Sequence, residues 1–92
     1  MGLEELRNEI DEIDKDIIEL LGKRFEATKK IGQVKIQYGF PLYQPEREQV
    51  VLRDRKIEAN KLNIDEQFID EFFSVIFRQS RKIQGAEDAK GI

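Results

Sequence analysis

Arg24 is the residue in this chain most open to a chemical reading, because it sits where an apolar side chain is expected. Leu6, Ile10, Ile13, Ile17, Leu20, Arg24, Ala27, Ile31, Val34 and Tyr38 follow one another in steps of four and three, the spacing of a coiled-coil seam. A guanidinium buried in that seam needs a partner or is costly. Lys35 lies eleven residues further on, which at about 100° per residue leaves only about 20° of angular offset, so the two cations share a helix face. Arg7 lies seventeen residues before Arg24, about 25 Å along the axis and about 100° around it, too far to reach one small ligand from the same helix. If two copies cross antiparallel near residue 19, Arg7 of the second copy falls opposite about residue 31 of the first, between Arg24 and Lys35. A two-fold dimer of intertwined long helices then gathers three cations at each of two equivalent sites. The chemistry this suggests is anion binding. Taken singly, Arg7, Lys35 and Arg47 also read as solvated charges, Ser80 and Gln84 as packing or solvent positions, and Arg24 as a register device paired with a glutamate.

The composition narrows the classes. The chain has no histidine and no cysteine, which removes the commonest general base, thiolate metal sites, disulfides and a cysteine nucleophile together. Its net charge is -3, from 16 basic and 19 acidic residues with both signs interspersed. That leaves no basic block for a nucleic-acid backbone and no polybasic amphipathic stretch for a membrane surface. No run approaches the length of a membrane span, and the first residues lack the regions of a signal peptide, so a cytoplasmic location is expected. At 92 residues, 38% charged and 39% hydrophobic, the chain makes one small folded domain, near the size at which a partner subunit helps.

Three helices are predicted and no strand, so the fold class is all-α. The first runs from about Leu3 to Tyr38, roughly 50 Å long, and therefore overshoots a compact globule of this length, which is about 30 Å across. Ile18, Leu21 and Phe25 widen its apolar face enough for more than one neighbour. Gly22 and Gly32 mark either close backbone approach or simple tolerance. Gly39-Phe40-Pro41 ends this helix and Pro45 opens the second, about Pro45 to Lys61, whose thin apolar face is Val50, Val51, Leu52 and Ile57. Asn63 with Glu66 resembles a capping box, and Asp65 is an equally good cap, for a third helix striped with Phe68, Ile69, Phe72, Phe73, Ile76, Phe77 and Ile83. Ser80 and Gln84 share a face at its end. The domain is expected to span 1–84, with a disordered tail over 85–92.

These residues also carry a resemblance. Leu6-Arg7-Asn8-Glu9-Ile10-Asp11-Glu12-Ile13-Asp14 is similar to the "LRxxIdxiD" opening of the all-helical, AroQ-type chorismate mutases. Leu20 to Arg24 and Ile31 to Lys35 resemble that family's "LLxxR" and "vgxxK" segments. Pro41 with Pro45-Glu46-Arg47-Glu48 resembles its "P…D.xRE" turn, and Ser80 to Gln84 its "SxxxQ" ending. The resemblance covers about Leu3 to Gln84. Each motif is weak alone, and their order and spacing together are specific. It implies a dimer of three-helix chains with intertwined first helices, and the rearrangement of chorismate to prephenate on the route to phenylalanine and tyrosine. Matched residue by residue, Arg7 would come from the partner subunit and join Arg24 and Arg47 on the substrate's two carboxylates, with Ser80 assisting. Lys35 and Gln84 would address the ether oxygen, and Glu48 the ring hydroxyl. Gln44 departs from the pattern, standing where familiar members have an aspartate near that hydroxyl.

The residue inventory fits such a reaction. A [3,3]-sigmatropic rearrangement needs no nucleophile, proton shuttle, metal or cofactor. It needs a held conformer and donors aimed at the oxygen where negative charge grows. Two rival expectations stand beside this one: an isochorismate-pyruvate lyase on the same scaffold, and a non-catalytic helical dimerisation or regulatory module acting with a separate shikimate-pathway enzyme. The chain has no room for an attached dehydratase, dehydrogenase or regulatory domain, so feedback inhibition within it is not expected.

Overall fold

The computed structural model describes residues 2–85. Three helices follow one another, α1 Leu3–Tyr38, α2 Pro45–Lys61 and α3 Glu66–Gln84, and no strand occurs among the described residues. The all-α expectation therefore holds at the level of the single chain. No helix among the described residues is long and apolar enough to cross a membrane.

The local signals act as their chemistry requires. Gly39 closes α1 at φ 74°, a left-handed conformation that a Cβ disfavours. The turn is fastened by the Phe40 amide donating to the Lys35 carbonyl at 2.8 Å, the longer-range bond of a Schellman cap. Pro45 occupies the first turn of α2, where its missing N–H costs nothing. Of the two candidate starts for α3, Asp65 is the cap: its carboxylate accepts from the Phe68 amide at 3.0 Å. Asn63 instead takes the left-handed turn position at φ 57°, which asparagine tolerates better than most side chains. Gly85, where the tail was expected to begin, closes α3 in the left-handed region at φ 97°; the remainder of that tail lies outside the described residues.

α3 is the middle element. It packs against α1 on one side and α2 on the other, while α1 and α2 do not pack against each other among the described residues. The core is small: Val51 and Ala59 of α2 meet Ile69, Ile76 and Phe77 of α3. The phenylalanines of α3 form a chain of ring contacts from Phe68 through Phe72 and Phe73 to Phe77, with centroids 5.3 to 5.9 Å apart. Lys56 and Asp70 add an ion pair at 2.7 Å between α2 and α3. The buried stripe of α2 is Val51 and Ala59, with Arg55 half-buried between them. Val50 and Ile57, which the sequence assigned to the apolar face, are exposed. Small Ala59 is easily overlooked in an apolar count, and Arg55 hides the i, i+4, i+8 spacing.

α1 differs from its heptad in an informative way. Its seam from Leu6 through Ile10, Ile13 and Ile17 to Leu20 is exposed, as are Ile31, Val34 and Tyr38 further along. The face that meets α3 is an adjacent stripe centred on the buried Thr28 and Gly32. The molecule accordingly measures 54 × 23 × 23 Å, with a radius of gyration of 16.3 Å, against about 12 Å for a compact domain of this length. The two helical glycines separate. Among the described residues nothing comes within 4 Å of a Cβ built at Gly22, whereas one at Gly32 would lie 2.9 Å from Cγ, 3.1 Å from Cβ and 3.2 Å from Cα of Gln84. Gly32 therefore permits a close approach of backbone to backbone, and Gly22 is tolerated within the chain.

The Gly32→Ala variant must push α3 aside rather than rotate one side chain. We expect it to cost about 1–3 kcal/mol, as overpacking does, or a fall in Tm of several degrees by thermal denaturation. An unchanged Tm would show that the two helices can part without loss.

Candidate active site

The close approach at Gly32 brings the end of α3 against the second half of α1, and the start of α2 closes the third side. Between them lies a pocket of about 230 Å³. From α1 it is lined by Arg24, Thr28, Ile31 and Lys35; from the connecting loop by Leu42 and Gln44; from α2 by Arg47, Glu48, Val51 and Arg55; and from α3 by Phe77, Ser80, Arg81 and Gln84. Seven of the eight site residues singled out in the sequence, all but Arg7, are thus brought to one cavity. Arg7 is exposed and pairs with Glu4 at 3.0 Å on the same helix, far from the pocket of its own chain.

Two bonds between α1 and α3 define the floor. The Arg24 guanidinium donates to Ser80 Oγ at 3.2 Å, with its Cζ 6.0 Å from the centre of the Phe73 ring. Lys35 Nζ donates to Gln84 Oε1 and to the Leu42 carbonyl, both at 2.9 Å. Arg24 reaches Phe73 and Ser80, and eleven residues on Lys35 reaches Gln84, so α1 and α3 run in the same direction. With its carbonyl oxygen engaged by Lys35, the Gln84 side chain has its amide hydrogens left as donors. The buried Thr28 hydroxyl is satisfied by the Arg24 carbonyl at 3.0 Å. Gln44 occupies the cap position of α2 without making a side-chain cap bond. Arg47 stands exposed at the mouth.

Arg81, Arg55 and Thr28 were not anticipated as pocket residues. One guanidinium nitrogen of Arg81 lies 2.7 Å from both oxygens of Glu48, and its Cζ stands 5.0 Å from the centre of the Tyr43 ring. A basic residue in the last turn of a helix is the ordinary complement of the helix dipole, so Arg81 carried no distinguishing signal in the sequence. Arg55 could have been found by its place between Val51 and Ala59.

The pocket is cationic: among the described residues Arg24, Lys35, Arg47, Arg55 and Arg81 face a single carboxylate, Glu48. Burial pushes the Arg24 guanidinium below its ordinary range, and the charge of Arg55 adds to the effect. Burial likewise pushes Lys35 down, while Glu48 pulls it partly back. Both directions belong to a desolvated positive site that an anion would relieve. A small dianion is the ligand class this arrangement suits, with fork-shaped donors for carboxylates and an ammonium and a neutral amide for a single oxygen.

The sequence of this chain matches a known family. Residues 6–85 match the family model of chorismate mutase type II, and the chain belongs to that family. Among its relatives are the T-protein of Haemophilus influenzae, 41% identical over 79 residues, which cover 86% of this chain and 21% of the relative, and the chorismate mutase of Methanocaldococcus jannaschii, 34% identical over 83 residues, 89% of this chain and 83% of the relative. The isochorismate pyruvate lyase of Pseudomonas aeruginosa is 32% identical over 75 residues, 82% of this chain and 73% of the relative. The chain spans about a fifth of the length of the T-proteins it matches.

Because burial lowers Lys35, this ammonium should give up its proton before the surface lysines as pH rises, below the ordinary value of about 10.4. A side-chain NMR titration of the free protein checks this. Lys35 titrating together with the exposed lysines would contradict the desolvated environment described here.

Proposed function

We propose that this chain is a chorismate mutase that rearranges chorismate to prephenate for phenylalanine and tyrosine synthesis, acting as a homodimer. The observation that carries the reading is the Lys35–Gln84 pair, two residues 49 apart in sequence that α1 and α3 set beside Arg24 and Ser80. In the reaction the ether carbon–oxygen bond breaks as a carbon–carbon bond forms across the ring, and no proton, electron or group leaves the substrate. Arg24, Arg47 and Arg7 of the partner subunit hold the two carboxylates, assisted by Ser80. The substrate is thereby confined to the conformer in which the reacting carbons are close. Lys35 and the Gln84 amide donate to the ether oxygen, whose negative charge grows toward the transition state, so they bind that state more strongly than the substrate. Glu48 accepts from the ring hydroxyl, with Gln44 beside it.

The exposed seam of α1 supports the dimer. An apolar cleft also opens beside the pocket between Lys30, Ile31, Val34 and Phe40. An antiparallel crossing near residue 19 lays the partner's first turns over that cleft and brings Arg7 to the mouth. The unit that performs the reaction is the stretch 1–84, and a cytoplasmic location goes with this reading.

Purified protein incubated with chorismate should consume it and form prephenate, followed by the loss of chorismate absorbance. Pyruvate released from isochorismate, with no prephenate from chorismate, would assign the chain to the lyases instead. Lys35→Ala should lower kcat by at least about a hundredfold, the effect of losing a donor at a developing oxyanion, and near-normal turnover would remove Lys35 from the mechanism. Mixing Arg7→Ala with Arg24→Ala subunits should restore up to one intact site per heterodimer. Stable heterodimers that stay inactive would rule out a shared site.

A further inference from the structure

Among the described residues Glu48 is the one carboxylate lining the pocket beside five cations, and it must not occupy the groups that the substrate needs. It lies close enough to Lys35 to raise that residue's proton affinity, and the side chain of Arg47 neighbours it in sequence on the same pocket wall. Left unrestrained, an ionised Glu48 would be drawn toward those cations. Among the described residues Lys35 donates to the Leu42 carbonyl and the Gln84 amide oxygen, while Glu48 is chelated by Arg81 at 2.7 Å through both oxygens.

We propose that Arg81 is a positioning residue that sequesters the Glu48 carboxylate, so that Glu48 serves the substrate's ring hydroxyl and leaves Lys35 to Gln84 and the ether oxygen. This rests on the function proposed above. Several observations support it. The side chains of the pair are only 19% and 25% exposed, so their attraction is less screened than that of a surface ion pair. A carboxylate has about four lone-pair sites, so one guanidinium nitrogen shared between its oxygens leaves acceptor capacity for a hydroxyl. Arg81 also stacks its guanidinium near the Tyr43 ring, tying the loop before α2 to the end of α3. That contact fixes where the guanidinium stands before any substrate arrives. The offset of charge has a second effect: with the Arg81 charge beside it, Glu48 repels less the carboxylates that Arg24 and Arg47 are to hold.

A purely structural ion pair, docking α2 on α3 as Lys56–Asp70 does, would have the same geometry, and a double-mutant cycle separates the two roles. R81Q, E48Q, the double variant and R81K are compared with the wild type by kcat and KM for chorismate, by Tm, and by calorimetric binding of prephenate, which also reads variants too slow to assay. R81Q alone should lower kcat/KM at least about tenfold, the scale of a charge-assisted hydrogen bond. It should act on kcat as well as KM, because Lys35 is drawn from the ether oxygen. In the E48Q background, where no charge remains to sequester, R81Q should change kcat/KM less than about threefold. R81K should recover part of the loss. If R81Q does not fold, R81K in the wild-type and E48Q backgrounds reads the same coupling. Equal losses in the two backgrounds, or coupling confined to Tm, would overturn the role. A wild-type chain that makes no prephenate is read before any variant, and it would sink the proposed function and this role with it.

Discussion

The helix backbones of α1 and α3 approach at Gly32 until a single methyl group would meet the Cα of Gln84 at 3.2 Å, and the pocket depends on that separation. Lys35 lies three residues beyond Gly32 on α1, and its bond to Gln84 follows from the approach. With Ser80 one turn before Gln84, Arg24 finds its hydroxyl partner as well. A larger residue at position 32 would widen the gap where two long, flexible cations must be held to within a few tenths of an ångström. Tight packing in this small chain is used at the site first. The hydrophobic core proper is limited to a few residues between α2 and α3.

That allocation has an energetic side. Among the described residues five cations surround one carboxylate, an arrangement that favours a bound anion over the empty fold, and the lowered proton affinities of Arg24 and Lys35 record the cost of desolvating them. Local rules are broken where function needs it, and stability is recovered elsewhere. Here the recovery lies in the caps at Gly39 and Asp65, the phenylalanine stack of α3 and the Lys56–Asp70 pair.

The helices were legible in the sequence because their ends carry strong chemistry: glycine at a left-handed cap, proline at a first turn, aspartate at an N-cap. Arg24 and Lys35 were legible as companions because a helix converts spacing into direction, and Arg47, Glu48, Ser80 and Gln84 because together they form a recognisable ordered set, whereas Gln44 was noticed as the position that departs from it. Other features were hidden. The face of α1 that meets α3 is centred on Thr28 and Gly32, which no hydrophobic periodicity reports, and it lies beside the apolar seam. Gly32 and Gly22 look alike in sequence, and only the position of Gln84 separates them. Arg81 has a partner 33 residues away, and that distance in sequence is invisible until α2 folds back along α3.

The α1 helix also acts as a ruler. Between Arg24 and Lys35 the residue types can vary widely, but their number cannot. One inserted residue would rotate Lys35 by about 100° and carry it about 1.5 Å further along the axis, turning it away from Gln84. Even a whole turn of about 3.6 residues would restore the direction while displacing it by about 5.4 Å. In the lineage of such a chain, length changes should therefore collect in the turn between α2 and α3, at residues 62–65, which lies at the other end of α3 from the pocket, while the interval from Arg24 to Lys35 keeps a fixed count.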